Sequence, residues 1–181
     1  PTEPLMNFRT TGTSGNPLLL PSHPRVAASY LSFHRRALRR IGIELTPGPQ
    51  QVGVVLVGFQ QRCFTYVSVT PQLGESGLAK INLHPNDWHD PADRAAYLDD
   101  LNPEVYTGDP LSFAELLTLP LKTRPRALIS VGMMLSKGMR ATLEDHFSAP
   151  VLDIYSMNEA GPIGVYDGEL NGHLLLQPDL Y

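Results

Sequence analysis

The 181 residues include 15 Gly and 17 Pro, are 42% hydrophobic and 18% charged, and carry a net charge of −4 at neutral pH. That apolar content excludes a disordered chain, and the Gly and Pro content stays below that of low-complexity sequence. Apolar runs such as Val54-Val55-Leu56-Val57 are too short to cross a bilayer, no basic-then-apolar leader opens the chain, and the single cysteine, Cys63, excludes an internal disulfide or a Cys-rich zinc site. The expectation is one cytoplasmic, domain-sized unit spanning 1–181 with no membrane segment. Charge is uneven. Residues 1–43 hold six arginines (Arg9, Arg25, Arg35, Arg36, Arg39, Arg40) against Glu3, a net of +5, and the rest is net −9. The basic third suits either an anionic ligand or a solvated helix face.

In chain order, Ser22 is placed to cap a helix from about Pro24 to Arg40. Its apolar stripe is Val26, Tyr30, Phe33, Ala37 and Ile41, and Gly42 is its stop. Val52–Gly58 has no apolar–polar alternation, as expected of a strand buried on both faces. Phe64–Thr70 and Ala79–Leu83 read as further strands, and Asp90-Pro91-Ala92-Asp93 as the start of a helix reaching Leu101. Val105-Tyr106 is a short strand, Asp109-Pro110 opens a helix to about Leu119, and Ala127–Val131 is a strand. Ser136 caps a helix to Phe147, and Val151–Tyr155 is the next strand. Ile163–Tyr166 and His173–Leu176 then form an antiparallel pair around Gly168. Strands alternating with helices predict an α/β fold, with a mostly parallel sheet flanked by helices on both faces and short antiparallel strands at the C-terminal end.

Two segments stand out chemically. Thr10-Thr11-Gly12-Thr13-Ser14-Gly15-Asn16-Pro17 combines hydroxyls with two glycines, so backbone N–H groups and side chains can donate to phosphate oxygens; a plain terminal loop has similar composition. It is neither a Walker A loop, since no Lys-Ser/Thr follows Gly15, nor a nucleophile elbow. Asp153–Pro162 lies where a parallel strand ends, the place at which open α/β sheets bind ligands. There Tyr155 offers a flat face to a base and Glu159 a carboxylate to a hard cation, against the alternative of a turn with a solvated acid. His84, Asp87, His89 and Asp90 could bind a metal or simply build an exposed connection between prolines. Arginine pairs in an acidic chain without interleaved aromatics argue against nucleic acid as a partner.

Together these segments resemble the adenylate-forming enzymes, the superfamily of acyl-CoA synthetases and peptide-synthetase adenylation domains. Thr10–Pro17 is similar to that family's Ser/Thr/Gly-rich phosphate loop, and Tyr155-Ser156-Met157-Asn158-Glu159 to its Tyr-Gly-x-Thr-Glu motif. The intervening segments and Gly172-His173-Leu174 look most like the phenylacetate–CoA ligase branch. The resemblance implies ATP-dependent activation of a carboxylic acid, plausibly aromatic, to an acyl-AMP, followed by transfer to coenzyme A. It implies that Thr10, Thr11, Gly12, Thr13, Ser14, Gly15 and Asn158 contact the ATP phosphates. Gly132, Met133, Tyr155 and Ser156 would enclose adenine, and Glu159 would hold Mg2+.

Several positions depart from the family pattern. Leu18 stands for the lysine ending the phosphate loop, Ser156 for a glycine, Asn158 for a hydroxyl residue, and Met133-Met134 for a small-then-acidic pair. None of Lys80, Lys122 and Lys137 matches the family's catalytic lysine, which lies in a small C-terminal lid domain. The expectation is therefore a central fragment of the AMP-binding domain, unable to turn over substrate alone. A non-catalytic nucleotide-binding or interaction module, or acyl transfer to a protein thiol or amine, stays open. Tyr106-Thr107-Gly108-Asp109 mimics the family's ribose-binding pattern but precedes the tyrosine motif, and Asp109-Pro110 reads better as a helix cap.

Overall fold

The structure, a computed structural model, describes residues 5–9, 19–61, 65–157 and 160–176. A hairpin of β1 (Met6–Arg9) and β2 (Leu19–Ser22), absent from the sequence-based expectation, precedes α1 (Pro24–Arg40). There follow β3 (Val52–Gly58), β4 (Tyr66–Thr70), β5 (Ser76–Asn82), α2 (Asp93–Leu101), β6 (Val105–Gly108) and α3 (Pro110–Leu116). The chain continues through β7 (Ala127–Val131), α4 (Lys137–Phe147), β8 (Val151–Met157), β9 (Gly161–Asp167) and β10 (Gly172–Leu175). Eight of the described strands form one sheet in the order β10-β9-β8-β7-β6-β3-β5-β4. Its middle five, from β8 to β5, are parallel; β9 and β10 at one edge and β4 at the other run antiparallel.

Successive residues of a strand point to opposite faces, and neighbouring valines accordingly enter different cores. Val54 packs with Phe33, Leu38, Val105 and Ile129, under α1. Val55 packs with Tyr106, Leu128, Phe113, Leu143 and Phe147, under α3 and α4, where Leu98 of α2 also lies. Helices thus cover both faces, as the unbroken apolar run of β3 requires. None of the described helices is long and apolar enough to cross a membrane.

Local chemistry sets the helix starts. Asp109 accepts the Ser112 N–H at 2.8 Å, confirming it as a cap, and Ser136 accepts the Met139 N–H at 3.1 Å. Four expectations need correction. The α1 cap is His23, whose Nδ1 accepts the Arg25 N–H at 3.1 Å, because the chain turns one residue later than Ser22. Helix α2 begins at Asp93, since Asp90 closes a preceding turn by accepting the Ala92 N–H at 2.8 Å. The α1 stripe is buried only at its centre: Val26 and Ile41 are exposed at the ends, and His34 and Leu38 are buried with Phe33 and Ala37. Strand β5 also starts earlier than expected, at Ser76, whose hydroxyl donates to the Gln51 carbonyl at 3.0 Å. Phe64 and Cys63 lie outside the described residues. Gly42, in the left-handed region at φ +75°, ends α1 as expected.

The polar residues around His84 build turns. His84 Nδ1 accepts the Asn86 N–H at 3.3 Å, and Asp87 accepts from the Asn82 amide at 2.5 Å. At the opposite, amino end of the sheet a buried carboxylate joins three strand entrances. Glu104, before β6, accepts the Thr46 N–H at 2.7 Å and an Arg126 guanidinium N–H at 2.5 Å. Arg126, before β7, also donates to the Glu44 carbonyl at 2.7 Å, and the Glu104 N–H donates to the Val52 carbonyl.

His34 is fully buried, and neither ring nitrogen has a hydrogen-bond partner among the described residues. Burial lowers its pKa from the ordinary 6.5 to about 4. Between those values the unfolded chain binds a proton that the folded chain refuses, so stability is fully present above pH 6.5 and falls as pH drops towards 4. The loss should reach roughly 3 kcal/mol at most. Urea midpoints measured from pH 7.5 to 4.5 should fall in the wild type and flatten in His34→Leu; an equal slope in both would refute this assignment.

Candidate functional site

The β7–β8 ladder ends with Val131 opposite Ile154, and β8 runs on to Met157. The chain leaves β7 through Gly132 at φ +80°, where a Cβ would meet nothing within 4 Å. That left-handed turn favours glycine and presents bare backbone at the carboxyl edge of the sheet. Met133 and Met134 follow, both exposed, Met134 at 90%. On β8, Ile154 points into the core while Tyr155 stays 48% exposed. Between the Gly132–Met134 turn and the Asp153–Ser156 segment lies a cleft of about 320 Å3, with His173 of β10 at its side.

The cleft wall is tied to the sheet by a chain of polar and aromatic contacts. Arg140 of α4 donates to the Val151 carbonyl, approaches the Asp153 carboxylate at 3.8 Å, and lays its guanidinium 5.4 Å above the Tyr166 ring. Tyr166 donates its hydroxyl to Asn171 at 3.0 Å and meets His173 edge-on at 5.7 Å. His173 in turn lies 5.6 Å from the Tyr155 ring. The Tyr155 hydroxyl points to the Met157 sulfur at 3.3 Å. Burial raises the Asp153 carboxyl pKa above the ordinary range, opposed by the positive charges of Arg140 and His173.

The structure brings together four of the residues expected in the site: Gly132, Met133, Tyr155 and Ser156 line one cleft. Thr10, Thr11, Gly12, Thr13, Ser14, Gly15, Asn158 and Glu159 lie outside the described residues. Met134 lines the cleft with Met133, as the resemblance of that pair implies, whereas Asp153 and His173 were given no ligand role. Asp153 shares the strand-face parity of Tyr155, a signal readable from the sequence; His173 arrives through strand register, which one sequence does not reveal. Three of the arginines offered to an anion have intramolecular partners: Arg39 pairs with Glu44 at 2.9 Å, Arg40 approaches Asp167 at 3.5 Å, and Arg36 lies over Phe33. Among the described residues no three His, Cys, Asp or Glu side chains converge as a metal site.

No protein-family model matches the chain, and no curated protein matches it. Solved structures do. A 2-hydroxyisobutyryl-CoA ligase, in an open conformation with 2-HIB-AMP and CoA, superimposes with a TM-score of 0.59 at 17% identity, over 94% of this chain and 40% of that one. An acyl-CoA synthetase from Brucella canis gives 0.55 at 15% identity, over 90% of this chain and 29% of that one. The anthranilate CoA ligase AuaEII, in complex with anthranoyl-AMP, gives 0.52 at 12% identity, over 90% and 31%. At such identities the likeness establishes the fold alone: this α/β architecture is shared with part of each of these acyl-CoA synthetase and CoA ligase structures. The chain spans between 29% and 40% of these three structures' lengths.

The two walls of the cleft should differ in what they contribute to stability. Arg140→Ala leaves the Val151 carbonyl, the Asp153 carboxylate and the Tyr166 face without their partner, and should cost about 1–3 kcal/mol in urea unfolding. Met134→Ala removes an almost wholly exposed side chain and should stay within about 0.5 kcal/mol of wild type. Equal losses would contradict this division.

Proposed function

We propose that this chain is the nucleotide-binding segment of an adenylate-forming acid ligase, with adenine held between Gly132-Met133 and Tyr155-Ser156. The observation that carries this is the meeting of those two segments across one cleft at the carboxyl ends of parallel strands. The fold shared with CoA ligases supports it.

In the proposed reaction a carboxylate oxygen of the acid attacks the α-phosphorus of ATP. The new bond is a mixed acyl–phosphate anhydride, the bond from the α-phosphorus to the bridging oxygen breaks, and pyrophosphate leaves. Two anions must approach, so catalysis here is largely the offsetting of charge. Thr10–Gly15 supply backbone N–H groups and hydroxyls to the phosphates, and Asn158 adds a donor after β8. Tyr155 offers its exposed ring to the base, and the open backbone at Gly132 lets the opposite wall come close. Bound Mg2+ supplies Lewis-acid charge neutralisation at the phosphates. Glu159 would hold it; a single carboxylate suits an ion that takes its remaining ligands from phosphates and water. The thiol of coenzyme A then attacks the acyl carbonyl, forming the thioester and releasing AMP. The acid would be aromatic and phenylacetate-like, by the branch the sequence most resembles. None of Lys80, Lys122 and Lys137 matches the family's catalytic lysine, so these 181 residues assayed by themselves would bind nucleotide without turning over.

Calorimetry should show AMP and ATP binding to this chain, with Tyr155→Ala weakening AMP about tenfold, the loss of one stacked base. ATP–pyrophosphate exchange across a panel of acids, measured in the full-length protein, should be supported and should collapse in Glu159→Ala. Full exchange in that variant would refute the assignment, whereas tight ATP binding without any exchange in the wild type would favour the non-catalytic module. Replacing coenzyme A by a protein thiol or an amine in the second step identifies the acyl acceptor.

A further inference from the structure

We propose that His173 is a positioning residue, which holds the Tyr155 ring at the cleft wall in the orientation that receives the base; this rests on the nucleotide reading above. Tyr155 lies on β8 just past the last β7 pairing, Val131 opposite Ile154, with half its surface free. Such a side chain changes rotamer on the picosecond–nanosecond scale unless something stops it. Among the described residues the Tyr155 hydroxyl has one hydrogen-bond partner, the Met157 sulfur, on an unbranched side chain. Among the same residues its ring is backed by one aromatic neighbour, the His173 imidazole, at 5.6 Å and a 54° tilt.

His173 is itself restrained. The Tyr166 ring meets it edge-on at 71°, and Tyr166 is held at one end by Asn171 and on its face by Arg140. Arg140 is anchored to β8 through the Val151 carbonyl. The support therefore runs from helix α4 across β9 and β10, then back to the cleft.

Gly164 makes the contact sterically possible. It sits directly opposite Tyr155 on β9. A Cβ there would lie 3.2 Å from the His173 Cβ and 2.8 Å from the Leu174 carbonyl oxygen. The absent side chain leaves the gap over which the imidazole leans towards Tyr155. Gly164 has no positive φ, so its role is this space and not a turn.

The test is binding of AMP by calorimetry, with ribose 5-phosphate as a control lacking the base, and the Tyr155 ring resonances of the ligand-free chain by NMR. His173→Ala should weaken AMP about five- to tenfold, leave ribose 5-phosphate within about twofold, and shift the Tyr155 ring resonances. His173→Phe, which keeps a flat ring, should restore AMP affinity to within about twofold. Gly164→Ala should shift the same resonances without altering any residue that lines the cleft. Wild-type AMP affinity in His173→Ala, or unmoved Tyr155 resonances, would overturn the proposal, as would a His173→Phe variant that folds like wild type yet binds as weakly as the alanine variant. A wild type that binds no AMP would count against the nucleotide reading, and the resonances would still decide the contact.

Discussion

A strand paired in parallel on both sides needs cover on both faces, because each connection back to the start of the next strand must pass over the sheet. Here five parallel strands impose that demand, and the placement of the helices follows from it. Helix α1 takes one face through Phe33, Ala37 and Leu38, and α2, α3 and α4 take the other. With both faces closed, the open surfaces of the sheet are its two ends. The amino end is sealed around Glu104, whose carboxylate serves the entrances of β3, β6 and β7 together. The carboxyl end carries the Gly132 turn and the exposed half of Tyr155. The Glu104 contacts and the Tyr155 cleft thus occupy opposite ends of the sheet.

Much of this was legible in the residues. The unbroken valines of β3 announced burial on both faces, and Asp109-Pro110 and Ser136 marked helix starts that the structure keeps. The pairing of Gly132-Met133 with Tyr155-Ser156 was legible too, through resemblance and strand order together. Other features depend on tertiary contact. A histidine was available to cap α1 in place of Ser22, and no local signal ranks two adjacent cap candidates. His34 lies between apolar and charged neighbours in sequence, so its burial follows from where α1 meets the sheet. His173 enters the cleft only because β10 pairs with β9 in one register, Tyr166 opposite His173; a slip of one residue would turn its ring to the other face.

The antiparallel edge changes what the cleft is made of. A parallel sheet ending at β8 would leave Tyr155 on a bare edge. The reversal through β9 and β10 instead brings Tyr166 and His173 beside it and ties them to α4 through Arg140. Asp153, half-buried between Arg140 and His173, places a carboxylate in the wall whose charge is partly offset by these neighbours. The site is therefore a joint product of the parallel core, which sets the end of β8, and of its antiparallel border, which furnishes the side.

The turn after β7 has one more implication, for how such a protein changes over generations. Gly132 fixes the path of the backbone, but Met133 and Met134 contribute little to the core beneath them. Under the proposed reading, substitution there would alter the chemistry met by a ligand while the strand below keeps its place. Inheritance of folding and inheritance of selectivity would then be carried by different side chains, and this wall could drift towards new ligands without first passing through an unfolded ancestor.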